Sequence, residues 1–286
     1  DTGQGHPERP ERMTVALQHL QQFDWRSDLV EVSPRVARTQ WISTIHEREY
    51  IARAEAACKI GHSHLDSMDV AISRESFNIA RLAVGAALSL GDEVMNGKID
   101  NGFALVRPPC HHAENDTALG FCLFNNIAIL ARYLQSEYGL EKIAIVDWDV
   151  HHGNGTQHSF ESDPTVMYVS THQYPYYPGT GSVDEQGEGR GKGSIVNCPM
   201  PAGADDAMYE VAFKEKIIPA LGLFAPDAML ISAGFDAHKS DPLAEVALST
   251  EFFAWMTLRL LELADKHAEG RVISLLEGGY NLDTLG

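Results

Sequence analysis

The stretch KIAIVDWDVHHGNG, residues 142–155, decides the fold because it joins an apolar strand to a polar, glycine-rich loop. Residues 143–146 leave no polar face, which is typical of a strand in a parallel sheet covered on both sides. The predicted strands of this kind are 103–106, 142–147, 165–170, 194–197, 228–232 and 272–276. The chain therefore contains the strands of a buried, mostly parallel sheet.

Segments with helical apolar spacing separate these strands. They cover residues 8–23, 76–95, 125–138, 207–223 and 250–266. Strand and helix alternate without a linker, which predicts an α/β fold with an open, mostly parallel sheet and helices on both faces. We expect one domain over residues 1–286, and we expect it to be trimmed at both ends, because it starts at Asp1 without Met and stops soon after an apolar run.

The charge and residue composition of the chain restrict the kinds of partner that it can bind. The chain has 22 Lys and Arg against 40 Asp and Glu, a net charge of −18, which disfavours direct nucleic-acid binding. No run approaches the roughly 18 apolar residues that a membrane helix needs. Four cysteines stand singly, which fits a reducing compartment and predicts a cytoplasmic protein. The sequence is compatible with oligomerisation but does not require it.

Four loops with reactive side chains each follow a predicted strand. They are residues 107–112, 147–155, 234–238 and 277–280. In an open parallel sheet, the loops beyond the carboxyl ends of the strands line the ligand crevice. We therefore expect these loops to converge on one site.

Asp149 and His151 form a candidate metal-ligand pair at the end of the strand 142–147. Asp236, after the strand 228–232, is the best third ligand. Two oxygens and one nitrogen suit zinc and leave a coordination position open for water or substrate.

His111 and His112 follow two prolines that restrict the backbone before them. Two imidazoles beside a metal can take a proton from water and return it to a leaving amine. Each ring needs a polar partner to fix its tautomer, and Asp147 and Asn154 are the candidates.

Gly278 and Gly279 end the last strand and allow the chain to bring Tyr280 close to the site. The phenol could then donate its O–H to a carbonyl oxygen that becomes an oxyanion.

Taken together, these motifs resemble the histone deacetylase superfamily of zinc-dependent amidohydrolases, which have an arginase-like α/β fold. The matches run in order along nearly the whole chain: GHPERPER at 5–12, RPP and the histidine pair at 107–112, GFC at 120–122, DWDVHHGNG at 147–155, YPGTG at 177–181 and LEGGY at 276–280. Arg107 and Asn154 make the chain similar to the class II branch and its bacterial relatives.

The resemblance implies zinc on Asp149, His151 and Asp236, with His112 as the main general base and acid and Tyr280 polarising the acetyl carbonyl. It implies Phe121 and Tyr177 as the walls of an acyl-lysine tunnel, Asp66 and Ser67 as its rim, and Arg12 near a channel behind the metal. It also implies structural potassium ions, one on Asp147, Asp149, His151, Ser170 and Thr171, the other on Phe160, Asp163, Val166 and Ser194.

The implied activity is hydrolysis of acetylated amines, most simply acetyl-lysine side chains in peptides or proteins. Leu243 occupies the position where the polyamine-selective animal branch carries an acidic residue, so we favour lysine over acetylpolyamine, which stays the alternative. A binuclear manganese ureohydrolase would need a second Asp-x-His-x-Asp motif, which the chain lacks. Cys110 stands where relatives commonly carry Gly, which motivates a third hypothesis, a weakly catalytic or redox-gated acyl-amine binding protein.

Overall fold

Six parallel strands build the central sheet of the computed structural model, which describes residues 2–3 and 5–286. The order across the sheet is β3-β8-β7-β4-β5-β6, and β1 and β2 form a separate antiparallel hairpin. The strands are β1 (His64–Leu65), β2 (Ser67–Ala71), β3 (Asn101–Ala104), β4 (Ile143–Asp147), β5 (Val166–Gln173), β6 (Ile195–Met200), β7 (Ala228–Ala233) and β8 (Val272–Leu276). The helices are α1 (Glu11–Leu20), α2 (Thr39–Ile42), α3 (Arg48–Ile60), α4 (Ser76–Met95), α5 (Asn126–Tyr138), α6 (Asn154–Phe160), α7 (Asp206–Ala212), α8 (Ile218–Phe224) and α9 (Thr250–His267).

Alternate residues of the strands face two separate apolar cores. Ile143 and Ile145 pack in the core that contains α4 and α5, whereas Ala144 and Val146 pack in the core of α7, α8 and α9. Both faces of the sheet are therefore covered, which explains why β4 has no polar residue before Asp147. The predicted fold class, one α/β domain with a parallel sheet, is confirmed.

Each predicted strand forms a strand of the central sheet, but several ends differ. The strand predicted at 103–106 runs from Asn101 to Ala104, and β5 and β6 extend to Gln173 and Met200. β6 contains Pro199, which lacks a backbone N–H, and it tolerates this residue because it lies at the edge of the sheet.

The helix predicted at 207–223 is divided. A π-helical turn, Phe213–Ile217, joins α7 to α8, whose second residue is Pro219. Proline cannot donate the helical bond to the residue four positions earlier, so the hydrogen-bond pattern changes just before it.

The carboxyl ends of β4, β5, β7 and β8 meet at one edge of the sheet. Asp147, the last residue of β4, is in register with Ser170 of β5 and Ser232 of β7. The loops after these strands continue past that edge and hold the candidate site. Among the described residues, no helix is both long and apolar enough to cross a membrane.

Candidate active site

Asp149, His151 and Asp236 form a compact cluster at the carboxyl edge of the sheet. One ligand atom from each lies within 4.8 Å of the others, and Nδ1 of His151 lies 3.1 Å from a carboxylate oxygen of each aspartate. Both aspartates are buried. Over residues 2–3 and 5–286 this is the one group of His, Cys, Asp and Glu side chains with metal-ligand spacing.

The charge of this cluster suits a cation. Burial and the neighbouring Asp149 carboxylate raise the pKa of Asp236 to about 7, because two buried carboxylates repel each other. The remaining carboxylate oxygens accept backbone N–H bonds, from Gly278 to Asp149 at 2.7 Å and from Val150 to Asp236 at 2.9 Å. Two fixed carboxylates and one imidazole fit a divalent ion such as zinc.

Gly278 gives the aspartates the room they need. A methyl carbon built on this residue would lie 2.1 Å from Oδ2 of Asp236 and 2.6 Å from Oδ2 of Asp149. A methyl carbon built on Gly234, directly after β7, would lie 2.3 Å from the same Asp149 oxygen. Gly278 is predicted to help position Tyr280, and it also leaves room for the carboxylates of Asp149 and Asp236. Gly279 has a φ of +117°, which glycine adopts readily.

His111 lies against a carboxylate. Its Nδ1 is 2.9 Å from Oδ2 of Asp147, and the Tyr168 hydroxyl donates to the same oxygen at 2.9 Å. Burial would lower the pKa of His111, but the charges of Asp147, Asp149 and Glu277 raise it well above its ordinary value. These charges favour the protonated form of the His111 ring.

His112 lies against a neutral amide instead. Its Nδ1 is 2.7 Å from Oδ1 of Asn154, and its ring centroid is 4.1 Å from that of His111 and 6.0 Å from that of His151. Burial and these two neighbouring imidazoles lower the pKa of His112 well below its ordinary value. The pKa values of the two adjacent histidines are thus shifted in opposite directions.

Tyr280 lies on the other side of the site and is buried. Its backbone N–H donates to Asp241 at 2.7 Å, and the guanidinium carbon of Arg12 lies 4.9 Å from its ring centroid. Arg12 is fully buried and donates to the carbonyl oxygens of Gly279, at 2.7 Å, and Glu277. Arg12 therefore fixes the backbone that carries the phenol. Burial raises the pKa of Tyr280 well above its ordinary value, so the hydroxyl keeps its proton.

Cys110 is buried and forms hydrogen bonds with Glu277. Its backbone N–H and its thiol donate to Glu277, at 2.6 Å and 2.8 Å, and burial raises its pKa well above the ordinary value. Its φ is negative, so the replacement of glycine causes no backbone strain. A buried thiol with a raised pKa is a poor redox switch, and this geometry argues against the redox-gated hypothesis.

Phe121 and Tyr177 each lie against a residue of the site. The Phe121 ring lies 5.9 Å from that of Tyr280, and the Tyr177 ring lies 5.2 Å from that of His112. Phe121 has a φ of +68°, directly after Gly120, whose lack of a Cβ leaves room for His112. The two aromatic residues stand where the walls of a tunnel to the cluster would be.

The predicted rim residues lie on the β1–β2 hairpin. Asp66 is bound by Arg53, at 2.9 Å, and by the backbone N–H of Ala118, at 2.9 Å, on the outside of the protein. Asp69, on the same hairpin, accepts instead from the Tyr177 hydroxyl at 3.0 Å and from Gly120 N–H at 3.2 Å. Its second oxygen, Oδ1, is buried and has no hydrogen-bond partner among the described residues.

Asp66 and Ser67 stay the predicted rim residues, and Asp69 is a further candidate because it contacts Tyr177. Ser67 lies between the two aspartates and is half-buried. The available signal was the second acid in the run DSMD, residues 66–69.

The remaining predicted residues lie at defined places around the site. Leu243 is half-buried, and its carbonyl oxygen accepts from the Tyr176 hydroxyl at 2.6 Å. The first predicted potassium set lies where β4 ends beside β5. Asp147 is in register with Ser170, and Thr171 is the next residue of β5. The second set lies around the starts of β5 and β6. Its Asp163 carboxylate pairs with Arg132 at 2.6 Å, and Phe160 and Val166 are buried. The backbone N–H of Tyr168 donates to the carbonyl oxygen of Ser194.

Comparison with known proteins agrees with this geometry. Residues 6–286 match the family model of the histone deacetylase domain. A protein of Archaeoglobus fulgidus named "Probable deacetylase" is 40% identical over 97% of this chain and 77% of its own. The human "Polyamine deacetylase HDAC10" is 39% identical over 97% of this chain and 43% of its own.

A solved structure extends the comparison to the fold. The crystal structure of the HDA15 HD domain superposes with a TM-score of 0.92 at 37% identity, covering 99% of this chain and 79% of that one. Sequence, fold and the Asp-His-Asp cluster agree, and the chain belongs to the histone deacetylase family.

Proposed function

We propose that this protein is a zinc-dependent lysine deacetylase that hydrolyses the acetyl amide of acetyl-lysine side chains in peptides or proteins. The family supports deacetylase activity and hence a hydrolase. The observation that carries the proposal is the pair His111 and His112, one against a carboxylate and one against an amide, beside the Asp149, His151 and Asp236 cluster.

The cluster would hold the zinc ion, which supplies Lewis acidity when it is bound, polarising the amide carbonyl and lowering the pKa of water. His112 acts as the general base. Its Nδ1 is engaged by Asn154, which leaves Nε2 to accept a proton from the attacking water. His112 then returns the proton to the leaving amine, and the products are acetate and the free amine.

His111 and Tyr280 support this chemistry in different ways. His111 lies against Asp147, whose charge raises the pKa of the ring, and a protonated His111 would help to stabilise the developing oxyanion. Tyr280 keeps its proton and donates its O–H to the carbonyl oxygen. Removing one such donor typically costs about 3–4 kcal/mol of barrier stabilisation.

The rim supports an extended substrate. Phe121 and Tyr177 would enclose the methylene stem of a lysine, and Leu243 adds an apolar contact nearby. The half-buried Asp69, which accepts from the Tyr177 hydroxyl, would also accept an N–H of the substrate backbone at the mouth. Four buried, free cysteines are consistent with a cytoplasmic location.

Acetylpolyamine is the second candidate substrate. The Asp69 carboxylate could pair with a polyamine ammonium group as well as with a peptide N–H, and the net charge of −18 attracts either substrate. The proposal also includes structural potassium ions at the two predicted sets. Backbone oxygens would supply most of their ligands.

The test is kcat/KM of the zinc-loaded protein on matched acetyl-lysine peptides and acetylated polyamines, with Tyr280→Phe as the control. Preference for the peptide, with a loss of about 100-fold or more in the control, supports a lysine deacetylase. Preference for the polyamine would reassign the substrate. If neither substrate turns over and the control does not differ, the hydrolase proposal is wrong and an acyl-amine binding role explains the site better.

A further inference from the structure

Asn154, the partner of His112, has a carboxylate on its other side. Its Nδ2 donates to Oε1 of Glu114 and, at 3.3 Å, to the carbonyl oxygen of His112. The ring of His158 lies on the outer side of Glu114, with Nδ1 2.9 Å and 3.0 Å from the two carboxylate oxygens. A continuous series of side chains thus leads from buried His112 through Asn154 and Glu114 to half-exposed His158.

This order of donors and acceptors determines how the Asn154 amide is oriented. Oxygen and nitrogen of an amide have nearly the same size, so the space around Asn154 does not by itself select one orientation. An ionised carboxylate, however, only accepts hydrogen bonds. Glu114, together with the more distant carbonyl oxygen of His112, therefore requires Nδ2 of Asn154 to face it, and Oδ1 must face the His112 ring.

The amide orientation in turn determines the tautomer of His112. An amide oxygen only accepts, so Nδ1 of His112 must carry the ring proton, and Nε2 keeps its lone pair. The reversed amide would present a donor to Nδ1 and move the ring proton to Nε2. A ring in that state could not take a proton through Nε2.

We propose that Glu114 is a positioning residue, which fixes the Asn154 amide and through it the His112 tautomer, while His158 holds the Glu114 carboxylate in place. The tautomer is a property of the folded protein. Only its consequence for turnover depends on the proposed function, in which His112 is the base.

The same contact accounts for an amide at position 154. Aspartate there would set two carboxylates against each other, because Glu114 lies within hydrogen-bonding distance and its side chain is only 20% exposed. Replacing Glu114 by glutamine as well would restore a donor that faces the introduced carboxylate. The effects of the two changes should therefore not add.

The experiment compares zinc-loaded wild type, Glu114→Ala, Asn154→Asp and the double variant Glu114→Gln/Asn154→Asp. Long-range ¹H–¹⁵N NMR reports the His112 tautomer, with its signals assigned by their loss in His112→Gln. The steady-state measurement gives kcat and KM on an acetyl-lysine peptide. Asp116→Asn is the matched control, because it removes one charge from the same loop and its carboxylate accepts from the Thr117 hydroxyl rather than from Asn154.

We expect the Nδ1–H tautomer in wild type and Asp116→Asn, and a mixture of both tautomers in Glu114→Ala. The kcat of Glu114→Ala should fall about 10- to 100-fold, with KM within about twofold. Asn154→Asp should lose at least as much, and the double variant should recover most of the loss, which keeps the test decisive if Glu114→Ala folds poorly.

An unchanged His112 tautomer in Glu114→Ala, or a double variant no better than Asn154→Asp, would overturn the inference. A shifted tautomer in a protein without deacetylase activity would support the inference and reject the proposed function instead.

Discussion

Gly278→Ala should weaken zinc binding without unfolding the protein. The added methyl carbon would lie 2.1 Å from Oδ2 of Asp236, and real contacts of this kind are almost never shorter than 3.0 Å, so the oxygen must retreat by about 0.9 Å. Oδ2 of Asp149 must retreat by about 0.4 Å. Metal–ligand distances tolerate only about 0.2 Å. Both carboxylates would therefore be displaced beyond that tolerance.

Changes next to metal ligands typically cost about 10- to 100-fold in affinity, and a change that displaces two ligands should reach the upper end, about 2.8 kcal/mol. Competition with a chelator of known affinity measures this loss, and thermal unfolding of the metal-free protein checks that the fold is intact. Gly222→Ala, in α8, is the matched control because no atom of the described residues lies within 4 Å of its added carbon. Gly278→Ala with zinc affinity within about threefold of wild type would refute the reasoning.

Three further predictions concern the rim, the acid stability and the thiol. Asp69→Ala should raise KM for an acetyl-lysine peptide about tenfold or more with kcat within about twofold, because it removes a ground-state contact; a lower kcat at unchanged KM would contradict this. Burial lowers the pKa of His46 to about 4, so the unfolded chain binds a proton between pH 6.5 and 4 that the folded protein excludes, and stability falls with pH there. His46→Gln should therefore lose about 2 kcal/mol less than wild type between about pH 7 and 5 in urea titrations, and equal losses would argue against it. Cys110 should stay unmodified by mild peroxide in the folded protein, as checked by mass spectrometry, because its thiol is buried and bound to Glu277.

Much of the site could be predicted from the sequence because it lies directly after apolar strands. The run before Asp147 identifies its strand as buried, and the parallel arrangement then brings the loops of 147–155, 234–238 and 277–280 to one edge. The contacts of His111 with Asp147 and of His112 with Asn154 follow from the same convergence.

The contacts of the rim residues could not be predicted in this way. Asp66 and Asp69 are three residues apart and equally polar, and their contacts differ because Asp66 adopts a φ of +57° within the β1–β2 hairpin and turns to Arg53. The apolar spacing of the sequence also does not predict helix α3. Its pattern alone is weak, and packing against the rest of the fold stabilises it.

The Glu277 carboxylate has a consequence for how the protein matures. It joins the end of β8 to the backbone of Cys110 and His111, 167 and 166 residues earlier in the chain. During synthesis, the loop that carries both histidines therefore waits for the last strand before it can adopt its final shape. Asp149 and Asp236 are likewise contributed by distant segments, so a nascent chain has no complete ion site. An ion that needs all three ligands would therefore bind only after these distant segments have folded together.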